Sequence, residues 1–334
     1  MVAEFRKIVI RELTGDFRSS TVITSERLRQ PQGDEVLIRN RFAGCNAVFD
    51  KNLCRNAIRY VDVVPPFDMG IEAIGEIVAT GPGVSGLVPG MAVATSRLGS
   101  GYREYQLAPA ARVIPVREAS AEILTLIPTG VSALVGLEKI GELASGETVA
   151  VSAAAGGLGH IVVQLAKLAG NHVIALTGSS RKVAMLETLG ADRVVDLAKE
   201  DLQQVLQREY PRGINLAYDS VGGPTFDALL DNLAMRGRLV ISGHTSDFDQ
   251  PLENVPQPRV YRKLYWKSAS VRGFQNPAFP EHFDWGVARI LELYYAGKLK
   301  AWVDQSGFTG LDSVADAVEY LLAGRNTGKV VIRL

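Results

Sequence analysis

The 334-residue chain is short of the residues from which metal centres and disulfide frameworks are built, with two cysteines and four histidines. Cys45 and Cys54 could bridge, but in a chain this long they read as free thiols in a reducing compartment, which points to the cytoplasm. There is no C-x-x-C pair, and His160, His172, His244 and His282 are scattered along the chain. A zinc site needs three or four converging ligands, so no metal is expected. Charge of one sign is also lacking: 36 basic residues balance 36 acidic ones. That balance leaves no basic footprint for nucleic acid, and no block of like charge suggests a tail. No uninterrupted apolar run approaches the ~20 residues of a bilayer span, and MVAEFRKIVI leads directly into a strand pattern without an apolar leader, so no membrane partner is expected.

What is present is apolar residue in abundance, 47% of the chain, enough for two cores at about 150 residues per domain. Residues 1–124 read as short strands between turns. Val36-Leu37-Ile38 and Ile74 to Val78 are strand runs, and Gly81-Pro82-Gly83 and Pro89-Gly90 are turn punctuation. Beyond about 125 the rhythm changes. Six strand patterns, at 148–151, 172–176, 193–195, 215–218, 238–241 and 270–274, alternate with helical patterns at 161–168, 182–189, 202–209 and 226–235. Alternation of this kind means βαβ units and a parallel sheet. A glycine-rich turn after the first of six strands is the doubly wound dinucleotide-binding arrangement, an α/β Rossmann fold. The tail from 276 holds helical patterns at 285–295 and 313–322 and a final strand at 329–332. It is expected to fold back onto the N-terminal β-rich domain, giving domains 1–124 with 276–334 and 125–275.

The turn Ala154-Ala155-Gly156-Gly157-Leu158-Gly159 fits A-x-G-x-x-G. Gly156 lets backbone approach a pyrophosphate, Gly159 lets the helix pack on the strand, and the helix N-terminus offers N–H groups to the anion. At the end of the second strand an NAD-specific site places an acidic residue for the ribose 2′-hydroxyl. Here Thr177-Gly178-Ser179-Ser180-Arg181-Lys182 supplies hydroxyls and two cations, which suit a 2′-phosphate and hence NADPH. The alternative is that Arg181 and Lys182 are the solvated first turn of a helix. A Tyr-x-x-x-Lys pair at Tyr294 and Lys298 falls after the last Rossmann strand and reads as chance.

In this order the features resemble the medium-chain dehydrogenase/reductase superfamily, in its zinc-independent quinone oxidoreductase and enone reductase branch. The likeness covers essentially the whole chain. It is carried by G-C-N (Gly44 to Asn46), P-P-F-D-M-G-I-E (Pro65 to Glu72), A-A-A-G-G-L-G (Ala153 to Gly159), L-G-A-D (Leu189 to Asp192), D-S-V-G-G (Asp219 to Gly223), G-R-L-V (Gly237 to Val240), S-A-S-V-R-G-F (Ser268 to Phe274) and N-T-G-K-V-V (Asn326 to Val331). The first P-P-F-D and the last two motifs are most similar to the prostaglandin reductase 3 subgroup.

The resemblance implies a GroES-like catalytic domain beside the Rossmann domain. It also implies hydride transfer from NADPH to a small-molecule acceptor, a quinone or an α,β-unsaturated ketone or aldehyde. Zinc-dependent relatives carry a ligand cysteine where Asn46 stands and Gly-His-Glu where this chain has Gly70-Ile71-Glu72. Without a Lewis acid, an already activated acceptor is the easier substrate. The likeness places Asn46 beside nicotinamide and substrate, and Tyr60 in the pocket, while the donor to the developing enolate could be a ribose hydroxyl, a tyrosine or water. It brings Thr129, Lys182, Ser220, Gly243, Phe274 and Asn326 to the cofactor, with Phe274 and Gln275 presenting backbone to the nicotinamide amide. Asp196-Leu197 stands where many relatives have Asn-Tyr, and Asp50 follows Asn46 one residue later than the relatives' aspartate. Pro251 to Lys267 reads as a lid, a pocket wall or a surface connection. A homodimer through the edge strands of the nucleotide domains is implied. The readings from other classes are a cofactor-binding, crystallin-like protein without turnover and a dedicated biosynthetic enoyl reductase.

Overall fold

The computed structural model describes residues 4–249 and 254–334. Its chain divides into two units, residues 1–128 with 301–334, and residues 129–300.

The first unit is antiparallel. Strand β1 (Glu4–Ile10) pairs with β2 (Thr21–Arg27) along its whole length. The sheet that matters for function is organised by β3 (Glu35–Gly44). Following it in the chain are the short β4 (Phe67–Asp68), which extends the first sheet, and β5 (Glu72–Thr80), which pairs with β3 and sets Ala43 opposite Ala73. The other side of β3 is shared by two partners. Strand Tyr105–Pro109 covers Glu35 to Arg39, and the closing strand Val331–Arg333 covers Phe42 to Gly44. This register gathers the end of β3, the start of β5 and the residues just before the closing strand at one corner. Helix Ala47–Cys54 follows directly, and its Ala47, Leu53 and Cys54 enter a core with Ile10, Phe17, Val314, Val318 and Ile332.

The second unit is a six-stranded parallel sheet. Its first three strands are Thr148–Val151, His172–Thr177 and Arg193–Asp196. The next three are Ile214–Asp219, Leu233–Ile241 and Ser270–Gly273. In spatial order they run third, second, first, fourth, fifth, sixth. Val149, Ala150, Val151, Val173, Ile174, Ala175 and Leu176 are fully buried, as expected for strands covered on both faces. The chain leaves the first strand toward one edge and later returns to build toward the other. The gap between first and fourth strands is therefore the topological switch point where such sheets bind ligands. Helix Gly159–Leu168 starts there and is buried along nearly all of its length.

Two expectations need correction. The helix placed at 226–235 runs Gly223–Asp231, and Leu233 to Met235 open the fifth strand instead. The polar pair Asp231-Asn232 marks the boundary, and the apolar residues after it belong to the strand. The second unit does not end at 275 but runs on to Lys300. Helix Phe283–Tyr295 belongs to it because Gly286 lets the helix settle on Val131; a Cβ there would lie 2.7 Å from Val131 Cγ1. The segment read as a lid or connection contains a helix, Val260–Tyr265, while its first residues, 251–253, lie outside the described residues.

One stretch, Ala121–Ile140, is long and apolar enough to cross a membrane by length and composition, and two-thirds of it is buried (67%). Ile127 breaks it, with φ −130° and ψ 114°. An interrupted, largely buried segment reads as core structure.

Candidate functional site

The nucleotide turn is shaped by contacts that a side chain would destroy. A Cβ on Gly159 would stand 2.4 Å from the carbonyl oxygen of Ala153 and 2.7 Å from the Cα of Ala154. Ala153 itself turns the chain with φ 44°, and Gly156 closes the turn by donating its N–H to Ala153 O at 2.9 Å. Gly157 and Leu158 are half-buried and lead into the helix, where the N–H groups of His160, Ile161 and Val162 donate to Gly156 O and Leu158 O. His160 is fully buried, with its Nδ1 2.9 Å from Gly156 O, which makes it a structural histidine.

The neighbouring strand ends complete a rim. Ser152 donates its hydroxyl to Asp219 Oδ1 at 2.5 Å, and Asp219 also accepts the N–H groups of Val221 and Gly222. Ser220 is held by its N–H on Ser152 Oγ and by a 2.8 Å contact between its hydroxyl and that of Ser242. Gly243 follows, packed so that a Cβ would lie 3.0 Å from Ser220 O. At the end of the second strand, Thr177 and Ser179 exchange hydrogen bonds around Gly178, which faces open space. Arg181 is exposed, with no ion pair among the described residues, and Lys182 is half-buried beside it.

Asp196 sits at this corner too, but its oxygens are engaged. Oδ2 accepts Ser180 Oγ at 2.5 Å and lies 3.7 Å from Lys199 Nζ, while Oδ1 accepts the N–H of Ala198. The Ser180 bond holds its carboxyl below the usual range.

Phe274 and Gln275 divide their backbone groups in a useful way. The Phe274 N–H is spent on Ile241 O and the Gln275 carbonyl accepts from Ala278. Among the described residues, the carbonyl of Phe274 and the N–H of Gln275 remain, an acceptor and a donor side by side, which match a primary carboxamide. Thr129 is half-buried at the start of this unit. These residues, together with the glycine turn, fit a pyridine dinucleotide.

The remaining candidates are in the first unit. Asn326 is buried, donating its side chain to Gly328 O at 2.8 Å. Tyr60 is 53% exposed and its partial burial raises its pKa, but no hydrogen bond ties it to Asn46 among the described residues.

Asn46 is at the centre of a polar cluster that the sequence did not reveal. Its Nδ2 donates to Glu72 Oε1 at 3.0 Å, and its Oδ1 accepts from Lys329 Nζ at 2.9 Å. Lys329 Nζ in turn lies 2.5 Å from Glu72 Oε1, with side-chain exposures of 5% and 0%. Gly44 makes room for this arrangement, since a Cβ there would fall 1.8 Å from Glu72 Oε1. The Asn46 N–H donates to Asp50 Oδ2, which also accepts the Tyr102 hydroxyl at 2.6 Å. Burial pushes the Asp50 carboxyl up to about 7, with the Tyr102 and Asn46 bonds working against it. Burial likewise drives the Cys45 and Tyr102 groups upward, and both Cys45 and Cys54 are free and buried.

Lys329 and Tyr102 were missed, and Glu72 entered only as the remnant of a metal motif. The available signal was a lone acid and a lone base in otherwise apolar strand patterns, I-E-A-I and G-K-V-V, since a buried charge requires a partner. A zinc ion does not fit this donor set: an amide, one carboxylate and an ammonium, which has no lone pair, cannot make a tetrahedral site. Among the described residues, no group of three His, Cys, Asp or Glu side chains could hold a metal.

The chain is similar to known proteins along its length. Residues 32–118 match the alcohol dehydrogenase GroES-like domain and residues 157–292 the zinc-binding dehydrogenase domain. The chain is 39% identical over 340 residues to prostaglandin reductase-3 of Mus musculus, covering 98% of this chain and 89% of that protein. It is 36% identical over 339 residues to a probable quinone oxidoreductase of Leishmania amazonensis, covering 99% and 98%. The native structure of mycobacterial Rv1454c complexed with NADPH superposes with a TM-score of 0.85 at 26% identity, covering 99% of this chain and 100% of that one.

Proposed function

Because the chain belongs to the medium-chain dehydrogenase/reductase family, in its quinone and enone reductase branch, we propose that it is an NADPH-dependent reductase of quinones and α,β-unsaturated carbonyl compounds. NADPH, when bound, supplies a hydride to the electrophilic end of the acceptor. The Gly156–Gly159 turn and the following helix bind its pyrophosphate, Arg181 and Lys182 meet the 2′-phosphate, and Phe274 O with Gln275 N–H orient the carboxamide. Asn46 donates its amide N–H to the acceptor's carbonyl oxygen, where negative charge develops as the hydride arrives. The α-carbon of the resulting enolate takes its proton from solvent. Tyr60 lines the acceptor pocket.

The observation that carries this reading is the donor set around Asn46, which can offer a hydrogen bond to an oxyanion but has no place for a Lewis acid. An acceptor that is already conjugated therefore suits it better than a simple alcohol or aldehyde. Two further features belong to the proposal. The sixth strand, Ser270–Gly273, is an edge of its sheet, and pairing of two such edges would make a homodimer. The two free, buried thiols suit the reducing cytoplasm.

The test is oxidation of NADPH, followed by absorbance, against phenanthrenequinone and a panel of linear and cyclic enones, repeated with NADH and with simple aldehydes. The reading expects turnover of quinones or enones with NADPH preferred. Tight NADPH binding without oxidation by any acceptor would make the protein a binding protein instead.

A further inference from the structure

An asparagine side chain is ambiguous, because its oxygen and nitrogen can exchange places by a rotation and it can then serve as donor or acceptor. At Asn46 the surroundings remove that ambiguity. Lys329 Nζ, 2.9 Å from Oδ1, is a donor with nothing to accept, and Glu72 Oε1, 3.0 Å from Nδ2, is an acceptor when ionised, as its contact with the ammonium at 2.5 Å requires. Flipping the amide would set N–H against ammonium and carbonyl against carboxylate, two repulsive contacts among buried groups. The Asn46 oxygen is therefore spent, one N–H is spent, and the other N–H is what the half-buried side chain has left to offer.

The pair is built for this position. Lys329 precedes the closing strand and Glu72 opens β5, and both flank the end of β3 through the registers that set Val331 opposite Gly44 and Ala43 opposite Ala73. The Cys45 N–H bond to Val330 O at 3.0 Å fastens the segment carrying Lys329 to the residue before Asn46. Both partners are buried, with side-chain exposures of 5% and 0%.

We propose that Lys329 and Glu72 are positioning residues that lock the Asn46 amide as a hydrogen-bond donor to the acceptor's carbonyl oxygen. The inference rests on the reading of Asn46 as the substrate-facing donor. It makes the ion pair a determinant of substrate class: a site locked as a donor favours acceptors that gain negative charge on oxygen and disfavours groups that need an acceptor there, such as an alcohol hydroxyl donating its proton.

The test is a mutant cycle in the full-length protein saturated with NADPH. The variants are Asn46→Ala, the charge-neutral double variant Glu72→Gln/Lys329→Met, the triple variant and Lys329→Arg. The double variant removes both charges together and so avoids stranding a buried ion; thermal melts and NADPH affinity report whether each variant is folded. Asn46→Ala is expected to lower kcat by about a hundredfold with little change in KM, as for loss of one oxyanion donor. The double variant should lower kcat by roughly tenfold, Lys329→Arg should restore most of it, and removing the pair in the Asn46→Ala background should change nothing further. If the pair's effect multiplies with that of Asn46→Ala, Lys329 and Glu72 do not act through the amide, and the inference is overturned while Asn46 keeps its role. If Asn46→Ala retains full kcat, the reading of Asn46 itself fails and the inference with it.

Discussion

The two units present function in opposite ways. In the second unit the proposed nucleotide site is made largely of backbone: a turn, the ends of consecutive parallel strands and small side chains at those ends. In the first unit the reactive corner is made of side chains, Asn46, Asp50, Glu72, Tyr102 and Lys329, brought together from four separate stretches of chain by antiparallel register. A backbone site is local in sequence, because one strand, one turn and one helix suffice to aim N–H groups at an anion. A side-chain site becomes visible only when pairing is known.

The largest effect is expected at Gly159. Gly159→Val would drive a side chain into Ala153 O and Ala154 Cα, backbone atoms that cannot yield. NADPH affinity, measured by fluorescence titration, should fall by about two orders of magnitude, with a loss of roughly 1–3 kcal/mol in urea unfolding. Retained affinity would mean the turn does not carry the pyrophosphate.

A smaller effect is expected from Asp50, and it has a sign. Its folded pKa, about 7, lies above the ordinary carboxyl value of 3.8, so between these values the folded state holds more protons than the unfolded. Stability should fall as pH rises from about 4 to about 7, by at most ~1.4 kcal/mol per pH unit, and level off above. Asp50→Asn should flatten that slope in unfolding curves taken across the range; an unchanged slope would assign it to other groups.

The smallest effect is at Arg181, which is exposed and screened. Arg181→Ala should raise KM for NADPH by roughly tenfold, about 1.5 kcal/mol for a charge-assisted bond, and leave KM for NADH unchanged. Equal changes for both nucleotides would remove Arg181 from the 2′-phosphate site.

The same contrast explains how far the sequence could be read. The six parallel strands and the turn at Gly156 to Gly159 were legible because each is announced by a local pattern. The helix boundary failed at Asp231-Asn232, because the apolar residues beyond that polar pair, Leu233 to Met235, were read as more of the same helix. The tail failed because helix Phe283–Tyr295 is assigned by what its buried face packs on, Val131 and Val135 at Gly286, and not by its own periodicity. Lys329 was placed inside the final strand as part of a family motif, whereas it stands just before that strand with its ammonium turned into the protein. Asn46 was named only as an isolated candidate; its hydrogen-bond partners Glu72 and Lys329 lie 26 and 283 positions away.

The central claim is hydride transfer from NADPH to a conjugated acceptor, and isotope tracing tests it most directly. NADPH carrying deuterium at the transferred position of the nicotinamide C4 is incubated with the protein and an enone, and the product is analysed by mass spectrometry and NMR. The account predicts a saturated ketone with deuterium on the β-carbon and a solvent-derived proton on the α-carbon. An allylic alcohol with deuterium on the former carbonyl carbon would contradict it.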